Sequence, residues 1–107
     1  MGYTNYYYQH RDFTDTEWDI VKREKDYIKD LGFDIEILED DKVLFLQGEC
    51  ETLVIRKHRR SKKRYEDDNL SFDCCKTRMA KYDLAVWYIL CSCNALLGKD
   101  FQIERDR

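Results

Sequence analysis

Proline is absent from this chain of 107 residues, and glycine occurs only four times. One common marker of a domain boundary is therefore missing, and no internal repeat or low-complexity linker divides the chain. Long apolar runs are missing as well. The most apolar segment, Leu84 to Leu97, ends after roughly fourteen residues, where a membrane-spanning helix needs about 18 or more. The N-terminus has no basic stretch followed by an apolar one, so no secretory leader is expected. No GxxxxGK pattern is present, which excludes a Walker loop. No CxxC pair is present either. Cys74 and Cys75 are adjacent in a strand-like segment, and Cys91 and Cys93 would stand about 200° apart around a helix, so neither pair has zinc-ligand geometry. With Cys50 the cysteines number five, an odd count without disulfide spacing. Reduced, buried thiols in a cytosolic compartment are the expectation, with no metal and no cofactor.

What is present is charge, unevenly placed. Residues 56–64 read RKHRRSKKR, seven Lys or Arg in nine positions without an acid among them. Removing those seven from the 19 basic residues leaves 12 against 22 acidic ones, so the rest of the chain carries about −10. Such separation gives the field a direction and favours a polyanion at one place. The candidates for an anionic partner are Arg56, Lys57, Arg59, Arg60, Lys62, Lys63 and Arg64, including contact with nucleic-acid phosphates. Only Tyr65 supplies a neighbouring aromatic, and the net charge of −3 disfavours a dedicated nucleic-acid binder.

The chain reads as one α+β domain spanning residues 1–107. Tyr3 to Gln9 is dense in aromatics and reads as a strand. Thr14 and Glu17 form a capping box that opens a helix running to Leu31, with Ile20, Val21, Tyr27, Ile28 and Leu31 as its apolar stripe and Gly32 as its stop. Phe33 to Leu38, a turn at Asp40-Asp41, and Val43 to Leu46 form a hairpin. Thr52 to Arg56 is another strand running into the basic block, and a mobile loop is expected around 57–69. Leu70 to Cys75 is a fifth strand, and Asp83 caps a buried helix from Leu84 to Leu97 that Gly98 ends. Phe101 and Ile103 alternate in a short edge strand. The expected order is β-α-β-β-β-β-α-β, an antiparallel sheet of about five or six strands packed with two helices.

Two constellations carry chemistry. On the first strand, Tyr3, Asn5, Tyr6, Tyr7 and Tyr8 combine stacking faces with hydroxyls, suited to clasping a base or filling an interface. After the fifth strand, Lys76 and Thr77 emerge before a buried helix, where an ammonium and a hydroxyl can meet a phosphate, with Tyr82 close by. Tyr3, Asn5, Tyr6, Tyr8, Lys76, Thr77 and Tyr82 are thus the candidate ligand-binding residues. His10 and His58 stand apart from any recognisable nucleophile, so no catalytic residue is assigned.

At these residues the chain resembles a known family. Gly2-Tyr3-Thr4-Asn5-Tyr6-Tyr7 resembles the G-Y-T-H-Y-W start of a family of small, mostly uncharacterised phage and prophage proteins. Phe72, Cys75, Lys76, Thr77, Tyr82 and Asp83 match that family's F-x-F-C-K-T-x-x-x-P-Y-D in register, and Glu51-Thr52 resembles an intervening E-T element. Asn5 stands where the family has His, Tyr7 where it has Trp, and Lys81 where it has Pro. Asn5 can hydrogen-bond but supplies no titrating imidazole. The resemblance implies a small viral accessory protein acting in the host cytoplasm. The expected function is non-enzymatic antagonism of host defence by sequestering a phosphate-bearing nucleotide signal. The alternatives are a protein-binding inhibitor of a CRISPR or other nucleic-acid-targeting complex, and a nucleotide-processing enzyme. No membrane partner is expected, and a homodimer stays open.

Overall fold

The computed structural model describes residues 4–48, 51–59, 71–76 and 81–106. The elements follow the expected order: β1 (Thr4–Gln9), α1 (Asp15–Asp30), β2 (Asp34–Leu38), β3 (Val43–Gln47), β4 (Leu53–Arg56), β5 (Ser71–Lys76), α2 (Asp83–Leu97) and β6 (Phe101–Asp106). The class is α+β, and every strand pairing among the described residues is antiparallel. The strands divide between two three-stranded sheets, β5-β1-β6 and β2-β3-β4, where one sheet was expected. The physical reason lies on β1. The Tyr7 hydroxyl donates to the Val54 carbonyl at 2.9 Å, and the Gln9 amide donates to the Arg56 carbonyl at 3.0 Å. Side chains of the first sheet thereby occupy carbonyls of β4, the outer strand of the second sheet, covering an edge that would otherwise recruit a strand.

Local signals act as the sequence predicts. Thr14 and Glu17 make the reciprocal capping box, and Gly32, with φ 98°, turns the chain out of α1. Trp18, Val21 and Ile28 bury their side chains, the face of α1 that meets the core. The apolar stripe differs from the one expected: Tyr27 and Leu31 are 52% and 56% exposed, and Trp18 takes the central place. The Trp18 indole donates to the Asp41 carbonyl at 2.7 Å, so the helix also holds the turn between β2 and β3. That turn carries three consecutive left-handed residues, Glu39, Asp40 and Asp41.

One contiguous core joins both sheets and both helices. It combines Trp18, Val21 and Ile28 with Ile35, Leu44, Leu46, Leu53 and Ile55 of the second sheet, and with Tyr7 and Phe101 of the first. α2 adds Ala85, Val86, Ile89, Leu90, Cys93 and Leu97. Of the cysteines expected to be buried, Cys93 is, and burial pushes its thiol well above the usual range, whereas Cys91 lies on the surface. No helix among the described residues is long and apolar enough to cross a membrane.

Candidate functional site

The two sequence-distant motifs meet at the start of α2. In the β1–β5 register Asn5 lies opposite Cys75, and Thr4 opposite Lys76, so the backbone leading to Lys76 runs beside the N-terminal strand. Asn5 is fully buried and Asp83 nearly so. Arg105, from the far end of the chain, joins them. Its Nε donates to Asn5 Oδ1 at 2.9 Å and an NH2 group donates to Asp83 Oδ2 at 2.7 Å, while the Asn5 amide reaches Asp83 Oδ1 at 3.5 Å. The guanidinium also lies 4.5 Å from the Trp87 ring centre. A buried carboxylate without a partner is costly, so this closed arrangement is what allows Asp83 to sit inside.

Asp83 is therefore the first residue of α2 and not its cap: the capping position is Tyr82, which makes no side-chain cap bond. Tyr82 itself is 3% exposed, and its hydroxyl donates to the Glu51 carbonyl at 3.0 Å. A Cβ on Gly48 would stand 2.3 Å from the Tyr82 ring, so glycine there is what lets the ring lie flat on the backbone. Asn5 and Tyr82, expected to face a ligand, thus belong to the interior because their polar ends find scaffold partners. Tyr6 and Tyr8 alternate with the buried Asn5, Tyr7 and Gln9 and are half-buried. Tyr3 and Thr77 lie outside the described residues, and of Lys76 only the strand position is described.

The basic block divides at residue 59. Its described part turns back onto the acidic loops. Lys57 pairs with Asp15, and His58 lies 3.1 Å from Asp12. The Arg59 amide donates to Asp12 at 2.8 Å, its guanidinium donates to the His10 carbonyl at 2.9 Å, and Arg56 approaches Glu39 at 4.0 Å. Partial burial opposes ionisation of Asp12, yet the Arg59 amide and the His58 ring outweigh it and hold the carboxyl below its ordinary range. Arg60, Lys62, Lys63 and Arg64 lie outside the described residues. Beside this root, Arg11 grips both oxygens of Glu17 at 2.9 Å and reaches Asp100 at 3.1 Å. That bidentate hydrogen bond brings the Glu17 carboxyl down to about 2.

A third feature was not foreseen. Between the C-terminal half of α1 and the first turns of α2 lies an apolar saddle of about 220 Å³, lined by Tyr27, Ile28, Leu31, Phe33, Leu84, Ala85 and Tyr88. Leu84 is 75% exposed and Tyr88 39%. Tyr27 and Tyr88 pack with ring centres 5.5 Å apart, and the Tyr88 hydroxyl hydrogen-bonds Glu24, which pushes the phenol up to about 12. Two rigid aromatics beside two exposed leucines have the composition of an interface centre. Arg105, by contrast, was legible in principle: the alternation that places Phe101 and Ile103 inward, continued by two residues, places Arg105 inward too.

Among the described residues, no group of three His, Cys, Asp or Glu could hold a metal ion. No protein-family model, no curated protein and no solved structure matches this chain.

Proposed function

We propose that this is a non-enzymatic binding protein that acts by occupying a surface of another protein, in the manner of a phage accessory protein that disables a nucleic-acid-targeting defence complex. The observation that carries the reading is the saddle. Tyr27, Leu31, Leu84 and Tyr88 present apolar and aromatic surface to solvent in one contiguous place, on two helices held rigidly by the core. The fold does not need Leu84 exposed, since Ala85, Val86, Ile89 and Leu90 already supply the buried face of α2. The biological setting comes from the resemblance to small phage proteins, and the basic residues beyond Arg59 add attraction toward the anionic surroundings of a nucleic-acid-bound target.

The test is Leu84→Asp combined with Leu31→Asp. Both positions are exposed, so the variant should melt within a few degrees of the parent. Used as bait in host lysate beside the parent protein, it should lose a partner that the parent retains. A partner held equally by both would remove the saddle from the mechanism.

The second reading, capture of a phosphate-bearing nucleotide, draws on the β1–β5 register, which brings Lys76 opposite Thr4 beside the N-terminal tyrosines. A thermal shift with mono-, di- or cyclic nucleotides tests it, because a native-state ligand stabilises by mass action. Flat melting curves across the series would sink it.

A further inference from the structure

The two sheets treat their edges differently. β4 is covered by Tyr7 and Gln9, but β2 ends the second sheet with no strand beyond it among the described residues. Every second residue of such a strand turns its N–H and C=O outward, a template for another strand. Along this edge runs a trough of about 430 Å³, lined by Glu36, Ile37 and Leu38, by Asp41 of the following turn, and by Lys22, Lys25 and Lys29 of α1. Three consecutive strand residues point alternately to opposite faces, so a trough touching all three follows the edge and not one face of the sheet. The lysines recur three and four residues apart, on one side of the helix, overlooking the strand. Lys22 and Lys25 are held by Asp41 and Asp26 at 2.6 Å each, with Lys22 also 3.4 Å from Asp19. Lys29 makes no ion pair among the described residues, and its charge acts on Asp26 only at longer range.

We propose that the β2 edge and the lysine face of α1 together form a docking groove for an extended acidic segment of a partner protein, which adds to the sheet as a further strand. The backbone supplies the ladder, and the ammonium of Lys29, joined by those of Lys22 and Lys25 when they exchange Asp41 and Asp26 for the incoming acids, selects the side chains. Ile35 and Ile37 face the core that α1 covers, whereas Asp34 and Glu36 face solvent on the other side. The incoming strand therefore carries acidic side chains at alternate positions, those turned toward α1, and uncharged ones beside Asp34 and Glu36, where a carboxylate would be repelled. Five residues of β2 accommodate about five of the partner, a length of roughly 17 Å. The groove is separate from the saddle and stands whether or not the saddle binds anything.

The probe is a capped nine-residue peptide alternating Glu and Thr, titrated into isotopically labelled protein and followed by amide NMR and by fluorescence anisotropy. Saturable shifts concentrated on residues 34–38 are expected, with affinity falling as salt rises. Lys25→Glu with Lys29→Glu should weaken binding about tenfold, and a Lys/Thr peptide should bind the parent correspondingly worse. A peptide N-methylated at every second amide, on the ladder-forming side, should not bind. Several outcomes overturn the proposal: no shift at residues 34–38 with millimolar peptide, shifts centred on Tyr27 and Leu84 instead, equal affinity for the Lys/Thr peptide, or full tolerance of N-methylation.

Discussion

Replacing Arg105 with Ala tests whether the buried cluster at the start of α2 holds the fold together. The change removes the Arg105 cation from the Asp83 carboxylate, whose side chain is 7% exposed, and the hydrogen bond that Arg105 donates to Asn5 Oδ1. Removing one partner of a buried ion pair costs about 3–5 kcal/mol. Loss of the stacking on Trp87 adds roughly 0.5–1 kcal/mol. Two effects act the other way: the N-terminus of α2 stabilises a carboxylate by about 0.5–1 kcal/mol, and the small cavity left beside a partly exposed arginine admits water. The balance is about 3 kcal/mol, which for a domain of this size lowers Tm by roughly 12–20 °C. Asp83→Asn alone should cost less, about 1.5–2 kcal/mol, because Arg105 can turn its charge toward water. The double variant should then sit close to Arg105→Ala, giving a coupling of about 2 kcal/mol in a double-mutant cycle. Urea unfolding followed by fluorescence of Trp18 and Trp87, with circular dichroism alongside, reads all four proteins. A loss below about 1 kcal/mol for Arg105→Ala, or simple additivity in the cycle, would refute the claim that these residues act as one unit.

Gly48→Ala should destabilise by about 2–3 kcal/mol through its clash with the Tyr82 ring, and Tyr82→Leu in that background should recover part of the loss, as seen in the urea midpoint. The Arg11–Glu17 pair makes stability fall in acid: the folded carboxyl titrates near 2, below its unfolded value of 4.5, so its contribution is complete above about pH 5 and disappears as pH drops through 4.5 toward 2. Because Arg11 is 39% exposed, solvent screening reduces that contribution to on the order of 1 kcal/mol. Glu17→Gln should flatten the acid limb of a Tm-against-pH profile, and an unchanged limb would assign it to other groups. Salt titration against duplex DNA is expected to show weak, salt-sensitive association of the parent, and replacing Arg60, Lys62, Lys63 and Arg64 with Ala should weaken it, each lost phosphate contact reducing the slope of log K against log salt by about 0.9. An unchanged slope would return those charges to a purely solvated role.

Some features were legible because they depend on neighbours in the chain. The Thr14–Glu17 capping box, the Gly32 stop and the alternation in residues 34–38 each need only a few residues to satisfy backbone groups or present a face. Other features were not. Tyr27 and Leu31 share the period of Ile28, yet the core ends before reaching them, and where a core ends depends on what packs opposite. Cys91 and Cys93 sit in the same apolar run with opposite exposure for the same reason.

The sequence by itself determined the order of elements, their approximate ends and the α+β class, since periodicity and capping are local properties of the chain. It also determined the opposition between a basic segment and an acidic remainder. Only the tertiary structure decided that the strands form two sheets, because strand choice depends on which edges Tyr7 and Gln9 cover. It likewise brought Asn5 and Arg105, a hundred residues apart, onto Asp83, and folded the first half of the basic block back onto Asp12 and Asp15 at the surface. Contacts of that range follow from how apolar faces are buried against each other, and no spacing within the chain records them.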